Sequence, residues 1–412
     1  MSSSGLLLDI GFLATCKDAG QQSNIHSIAG AAISWSNGRF DYVGSEADLP
    51  AKFRERPTST AGGRCVIPGL VDCHTHLGFG GWRADEFRMR IEGKSYLDIA
   101  AAGGGIRKTM AQTRAASHEE LVLHSESYLQ RYIELGVTAV ECKTGYGLSF
   151  DEELKLLRVY RDIGQNTSVD IVSTLLAAHV VPDPSKCNNN CYIQMICNEL
   201  LPVVAAEKLA EFNDIFVEKG AFTTEDARRV LSAGNALGLK AKLHVDQLGD
   251  GNGGVLAAEM NAISADHLEY TSAQGMKAMA HANVVGVCLP FASLYLNQPP
   301  MNARAFISSG VRVAVATDFN PGSAPSYDLP LAMMLACTMS RMTPAEALKG
   351  ATINAARAIG RNTEYGSIEV GKRANFAELS VVDVDHWMYH FRPNTCAATW
   401  INGTQVNQIV SD

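Results

Sequence analysis

Two hydrophobic periodicities take turns along the chain, and where they switch divides it into three stretches. Over residues 1–65 short runs alternate apolar and polar positions, the pattern of strands with one buried face. The clearest is AAISWSNGRFDYVG, in which two alternating runs flank Asn37-Gly38. That pair tolerates the positive φ angles a two-residue turn demands, so a hairpin is predicted. The last stretch, 365–412, behaves alike: GSIEVGKRANFAEL is strand-like, and AATWINGTQV turns on a second Asn-Gly.

Between them, residues 66–364 carry eight apolar runs: VIPGLVDCH, GVTAVECKTG, DIVSTLLAAH, NDIFVEKG, LKAKLHVDQ, NAISADHLEY, NVVGVCLP and VRVAVATDF. Near-continuous apolar character is what a parallel strand covered on both faces requires. Helix-like segments separate the runs. Ser117 with Glu120, Ser149 with Glu152, and Thr343-Pro344 with Glu346 have capping-box spacing, and Gly136 and Gly164 are expected to end the first two helices. LPLAMMLACTM reads as a core helix and KCNNNC as a surface loop. Eight parallel strands alternating with helices predict an α/β fold, a (β/α)8 TIM-like barrel, with an open doubly wound sheet as the alternative. The two terminal segments are expected to build one small β-sandwich domain beside it.

Composition narrows the function. A chain of 412 residues, 46% hydrophobic, can bury a large core. The net charge of -8, with no Lys/Arg run, argues against nucleic acid as a partner. Asp9 interrupts the apolar start, no basic segment precedes it, and no apolar run is long enough to span a bilayer, so a cytoplasmic protein without a membrane partner is expected. Ten scattered cysteines suit a reducing compartment rather than a disulfide scaffold. Cys187, Cys191 and Cys197 cluster, but their spacing matches no common zinc module.

Barrel chemistry sits at the C-terminal ends of the strands. Five of the eleven histidines fall there, His74, His76, His179, His244 and His267, together with Tyr146, Glu218, Lys219 and Asp318. His74 and His76 are two residues apart on a strand and therefore share a face. With His244 and Asp318 they form a candidate set of four ligands for one zinc or iron ion, which would turn water into a nucleophile at neutral pH. AAAGGGIRKT lacks both the P-loop and the dinucleotide spacing and is expected to form a flexible loop over the pocket. A carboxylated Lys219 bridging two metals is the less favoured alternative to a single ion.

PGLVDCHTH, GGGI, KTGYGL, ADH and ATDFNPGS resemble the amidohydrolase superfamily, and FGGWRADEF, ECKTGYGL and ATDFNPGS resemble its imidazolonepropionase family, from about Val66 to Gly371. The resemblance implies hydrolysis of the cyclic amide C–N bond of 4-imidazolone-5-propanoate to N-formimidoyl-L-glutamate in histidine degradation, with zinc or iron as cofactor and a homodimer as the assembly. It also implies that Arg83, Tyr146, His179, Gln247, Asn320, Gly322 and Ser323 bind the substrate. A guanidinium suits the propanoate carboxylate, although Asp85 or Glu86 could claim Arg83 instead. Gln247 stands where related hydrolases with an H-x-x-E motif place a proton-relaying acid, and an amide cannot serve as a base. Asp318 is therefore expected to move the proton, with His267 stabilising the oxyanion and Gln247 holding the ring. Asp246 is expected to turn away by strand alternation. A nucleobase-type deaminase and a metal-binding scaffold without turnover are the other readings.

Overall fold

The computed structural model describes residues 4–94, 98, 103–391 and 393–408. The N-terminal strands are β1 (Ser4–Ala14), β2 (Ser27–Ser36), β3 (Arg39–Ser45), β4 (Thr58–Thr60) and β5 (Cys65–Pro68). The barrel strands are β6 (Leu70–Thr75), β7 (Val137–Lys143), β8 (Asp170–Ala178), β9 (Phe212–Val217), β10 (Lys240–Val245), β11 (Ser264–His267), β12 (Val285–Cys288) and β13 (Val313–Val315). The chain ends with β14 (Phe376–Leu379), β15 (Cys396–Ile401) and β16 (Thr404–Gln408).

Both Asn-Gly turns form as predicted. Asn37 and Gly38 have φ of 51° and 72° between β2 and β3, and Asn402 and Gly403 have 50° and 71° between β15 and β16. The terminal strands join one sheet in the order β16-β15-β14-β5-β1-β2-β3, with β4 added beside β1. That sheet folds over on itself. Trp35 on β2 and Trp400 on β15 lie far apart in strand order, yet their rings meet edge-on at 5.3 Å, and Phe376 packs against both. This apolar filling between the two halves gives the terminal domain its sandwich character.

Strands β6 to β13 pair in parallel and in chain order. The barrel closes through the segment after β13: His76 N–H donates to the Phe319 carbonyl at 2.9 Å and Asp318 N–H to the His74 carbonyl at 3.0 Å. Closure thus brings two expected ligand-bearing segments edge to edge. A barrel interior is ordinarily filled by branched apolar side chains. Here Glu141, Lys143, Asp214, Lys242 and Asp266 are fully buried beneath the strand ends.

Some local expectations need correction. The boxes at Ser117 and Thr343 form, but Ser149 makes no side-chain cap; buried Glu153 reaches back instead, accepting from the Leu148 and Gly145 amides, while Glu152 pairs with Lys155. Gly136 follows its helix at φ 86°, whereas Gly164 lies inside Phe150–Asn166, packed towards Ile171 of β8. Part of KCNNNC is helical, since Asn188 caps Asn189–Met195, and Cys187 and Cys191 are disulfide-bonded. Leu329–Ser340 is the buried helix expected from LPLAMMLACTM. Residues 100–102 of the glycine-rich stretch lie outside the described residues; Gly105 donates its amide to Glu86 just before the helix Ile106–Ala115. Among the described residues no helix is long and apolar enough to cross a membrane.

Candidate metal centre and active site

His74 is the last residue but one of β6, and His76, just past its end, lies on the same face, as alternation requires. The Nδ1 of His74 is 2.7 Å from Asp266 Oδ2, which assigns the ring proton to Nδ1 and leaves Nε2 bare. That Nε2 is 3.3 Å from Asp318 Oδ1. His76 turns its Nδ1 to the Thr144 carbonyl at 3.3 Å and its Nε2 towards the same Asp318 oxygen at 3.6 Å. His244, from β10, places its ring centre 4.5 Å from that of His74 and 5.7 Å from that of His76. Its Nδ1 is 3.1 Å from Asp214 Oδ2, an ion-pair distance, with the ring turned too far for a hydrogen bond.

The four expected ligands gather in two overlapping groups that share His74. Ligand atoms of His74, His76 and Asp318 lie within 4.8 Å of one another, and so do those of His74, His244 and His267. Burial, reinforced by neighbouring positive groups, holds the imidazoles of His74, His76 and His244 well below their ordinary pKa, so they are neutral and offer lone pairs. Burial pushes Asp318 up to about 7.

A cation suits this arrangement. Among the described residues, Nε2 of His74 and of His244 are buried without a hydrogen-bond partner, and an imidazole lone pair facing a carboxylate oxygen at 3.3 Å is two acceptors in contact. Leaving such atoms unsatisfied costs about 1–3 kcal/mol each. Three neutral imidazoles and a carboxylate form a donor set that zinc and iron both accept.

His267, at the end of β11, has φ 78° and lies with its ring centre 5.4 Å from that of His244. Burial disfavours its charged form, but the nearby Glu269, Asp318 and Asp266 carboxylates overcome this and raise its pKa. Tyr146 is buried 5.5 Å from the His76 ring and 5.7 Å from that of His179. His179 stacks on His76 at 5.5 Å, and burial lowers it to about 4.

Arg83 precedes the helix Ala84–Ile91, with Nε 3.4 Å from the Pro321 carbonyl and 3.7 Å from Glu86. Asp85 is taken by Lys108 at 2.6 Å. Gly322 is what admits the guanidinium, because a β-carbon there would overlap it. Asn320 spends its amide on its own loop: Oδ1 accepts from the Gly322 and Ser323 amides, and Nδ2 donates to the Asp318 carbonyl at 2.7 Å and to Ser323 Oγ at 3.0 Å. Asn320 and Ser323 thereby shape the segment that carries Asp318. Gln247 is buried, its backbone amide held by Glu218. Asp246 turns away, but not by strand alternation: β10 ends at Val245, and at φ 54° Asp246 accepts from the amides of Gly251, Gly253 and Gly254 and from Thr271 Oγ1. Lys219 is exposed, and the buried lysines of this region are Lys143 and Lys242.

Sequence reasoning passed over Asp214, Asp266 and Glu269. The signal was present: charged residues occupy inward positions in otherwise apolar strands, as in NDIFV and SADH.

Solved structures share this fold. A zinc-bound adenosine deaminase from Xanthomonas campestris matches with a TM-score of 0.70 at 18% identity, covering 100% of this chain and 95% of that one. A 5-methylcytosine deaminase from Klebsiella pneumoniae matches with a TM-score of 0.75 at 12% identity, covering 99% and 98%. Identities this low speak for the fold alone. In sequence, residues 208–406 match the amidohydrolase family. Imidazolonepropionases from Geobacillus sp. (strain WCH70) and Brevibacillus brevis are 43% and 44% identical over 390 residues, covering 94% of this chain and 92% of each relative. One from Pseudomonas syringae pv. tomato is 44% identical over 367 residues, covering 88% and 91%. With such identity over 94% of its length, the chain belongs to the imidazolonepropionase family of amidohydrolases.

Proposed function

We propose that the protein hydrolyses 4-imidazolone-5-propanoate in histidine degradation, opening the cyclic amide C–N bond to give N-formimidoyl-L-glutamate. The observation that carries this reading is that His74, a neutral buried imidazole, groups with His76 and Asp318 and also with His244 at the top of the barrel, with the Arg83 guanidinium admitted nearby by Gly322. His74, His76, His244 and Asp318 would hold one zinc or iron ion per chain. When bound, such an ion supplies the Lewis acidity that lets water attack at neutral pH.

The chain's own groups do the rest. Arg83 pairs with the propanoate carboxylate, fixing the end of the substrate away from the reacting bond. Tyr146 and His179 border the ring. The Asp318 carboxylate accepts a proton from the attacking water, and the hydroxyl joins the carbonyl carbon. Asp318 then delivers that proton to the ring nitrogen as the C–N bond breaks, so the elements of one water are added across the bond. His267, with its raised pKa, donates to the carbonyl oxygen as negative charge builds there. Gln247 donates a hydrogen bond to the ring and moves no proton. The family resemblance also supports a cytoplasmic homodimer, which sedimentation equilibrium would test.

The experiment is an elemental analysis of the purified protein together with a turnover assay, following loss of the imidazolone ultraviolet band and appearance of formimidoylglutamate. Stoichiometric metal and turnover are expected. Ammonia release from purines or pyrimidines without imidazolone turnover would instead favour a deaminase.

A further inference from the structure

Five charged side chains are fully buried in the barrel directly beneath the histidines, and the hydrolysis described above uses none of them. We propose that Lys143 is a positioning residue for the metal ligands: its ammonium fixes Asp266 against His74, so that this ring keeps the proton on Nδ1 and presents Nε2 to the cation, and it anchors the Asp214 carboxylate beside His244. This rests on the metal-centre reading.

Lys143 ends β7 and points inward with Glu141, two residues before it. Its three N–H donors have three carboxylates within reach: Asp214 Oδ2 at 2.8 Å, Glu141 Oε1 at 3.0 Å and Asp266 Oδ2 at 3.2 Å. The same oxygens serve the histidines. Asp266 Oδ2 is 2.7 Å from His74 Nδ1, and Asp214 Oδ2 is 3.1 Å from His244 Nδ1. One ammonium therefore locates the oxygen atoms that face two imidazoles on separate strands, β6 and β10.

The remaining oxygens are already engaged. Asp266 Oδ1 accepts from Ser264 Oγ at 2.8 Å, Asp214 Oδ1 from the Ile215 amide at 2.7 Å, and Glu141 Oε2 from Lys242 at 2.8 Å. Neither aspartate can swap oxygens without losing a bond, so Asp266 Oδ2 is committed to Lys143 and His74, and Asp214 Oδ2 to Lys143. A carboxylate behind an imidazole fixes its tautomer and strengthens it as a ligand, and losing such a partner typically costs 10–100-fold in metal affinity. Without Lys143, Asp214 and Asp266 repel each other, and each is left with a single neutral donor on its Oδ1. His74 then loses the partner that fixes its ring, and the carboxylate beside His244 loses its anchor.

The test separates positioning from bulk stability. Lys143→Met alone leaves the buried acids under-compensated and can fail to fold. Lys143→Met with Glu141→Gln removes one positive and one negative charge together and keeps the net charge of the cluster. Apo protein is prepared by chelation, zinc is added, and its dissociation constant is read by competition with a chromophoric chelator, beside the unfolding midpoint of the apo form. The expected result is a folded double variant whose zinc affinity is about 10–100-fold weaker than that of the native chain. A folded variant binding zinc within twofold of the native chain would overturn the proposal while leaving the metal centre standing. Native protein that binds no zinc overturns both. A second measurement needs no variant: nitrogen NMR of the native apo protein must show His74 protonated on Nδ1, and a proton on its Nε2 sinks the idea.

Discussion

Gly322 and Arg83 occupy one space: a β-carbon at position 322 would overlap Nη2 of the guanidinium. The φ of Gly322 is not among the positive values, so the need for glycine here is steric and is imposed by Arg83. Gly322→Ala is therefore expected to displace the guanidinium and weaken its grip on the substrate carboxylate. A lost hydrogen bond to a charged group is worth about 1.5–3 kcal/mol, or roughly 10–100-fold. Because the carboxylate is remote from the reacting bond, the loss should fall mainly on KM, as steady-state kinetics will show. An unchanged KM would separate Arg83 from substrate binding.

Asp318→Asn removes the group assigned to the proton while preserving an oxygen that can face the histidines. Loss of general acid–base catalysis is expected to lower kcat by about 10²–10⁴. Metal content must be measured on the same sample, since Asp318 Oδ1 also faces His74 and His76. Full activity with metal retained refutes the assignment. Gln247→Glu placed in the Asp318→Asn background should not restore turnover, because Gln247 is assigned to the ring and not to the proton.

Features of the site carried by spacing were legible in the sequence. His74 and His76 share a face because they are two residues apart, and Asn37-Gly38 forms its turn because both residues take positive φ. Features set by tertiary partners were not. Glu153, not Ser149, caps its helix from a buried position that the capping pattern does not encode. Asn320 looked like a pocket residue by motif, yet its amide is consumed by its own turn. The inward charges Lys143, Asp214 and Asp266 stood in plain view in apolar strands, but which of them meet depends on the stagger of strands around the barrel.

In the terminal domain, Asp41 is joined to Arg56 at 2.7 Å and to Ser36 at 2.8 Å. Burial opposes the Asp41 charge, but Arg56 and the serines overcome this and hold the carboxyl below its usual range. A depressed carboxylate pKa stabilises the fold fully above the unfolded value of about 3.9, and that stability is lost as pH falls through the folded value. A double-mutant cycle with Asp41→Asn and Arg56→Met, read by urea unfolding, is expected to give about 0.2–1 kcal/mol of coupling at pH 7. The coupling should shrink at pH 3 and below. Coupling that persists undiminished in acid would show that charge plays no part.

Asp246 lies one residue before Gln247, where an acid could be mistaken for the missing base. Its φ of 54° and its four partners give it a different task. Oδ1 accepts from the Gly251 and Gly253 amides, both at 2.9 Å, and Oδ2 accepts from the Gly254 amide at 3.1 Å and Thr271 Oγ1 at 2.7 Å. Both oxygens face donors, so Asp246→Asn must turn an NH2 group against at least one of them. The expected cost is about 1.5–3 kcal/mol of stability, the range for hydrogen bonds to charged groups. A general base replaced by its amide would instead lose kcat with little change in unfolding. Measured together, a lower unfolding midpoint with kcat within threefold of the native value confirms the loop-holding role. The opposite pattern would make Asp246, and not Asp318, the residue that moves the proton.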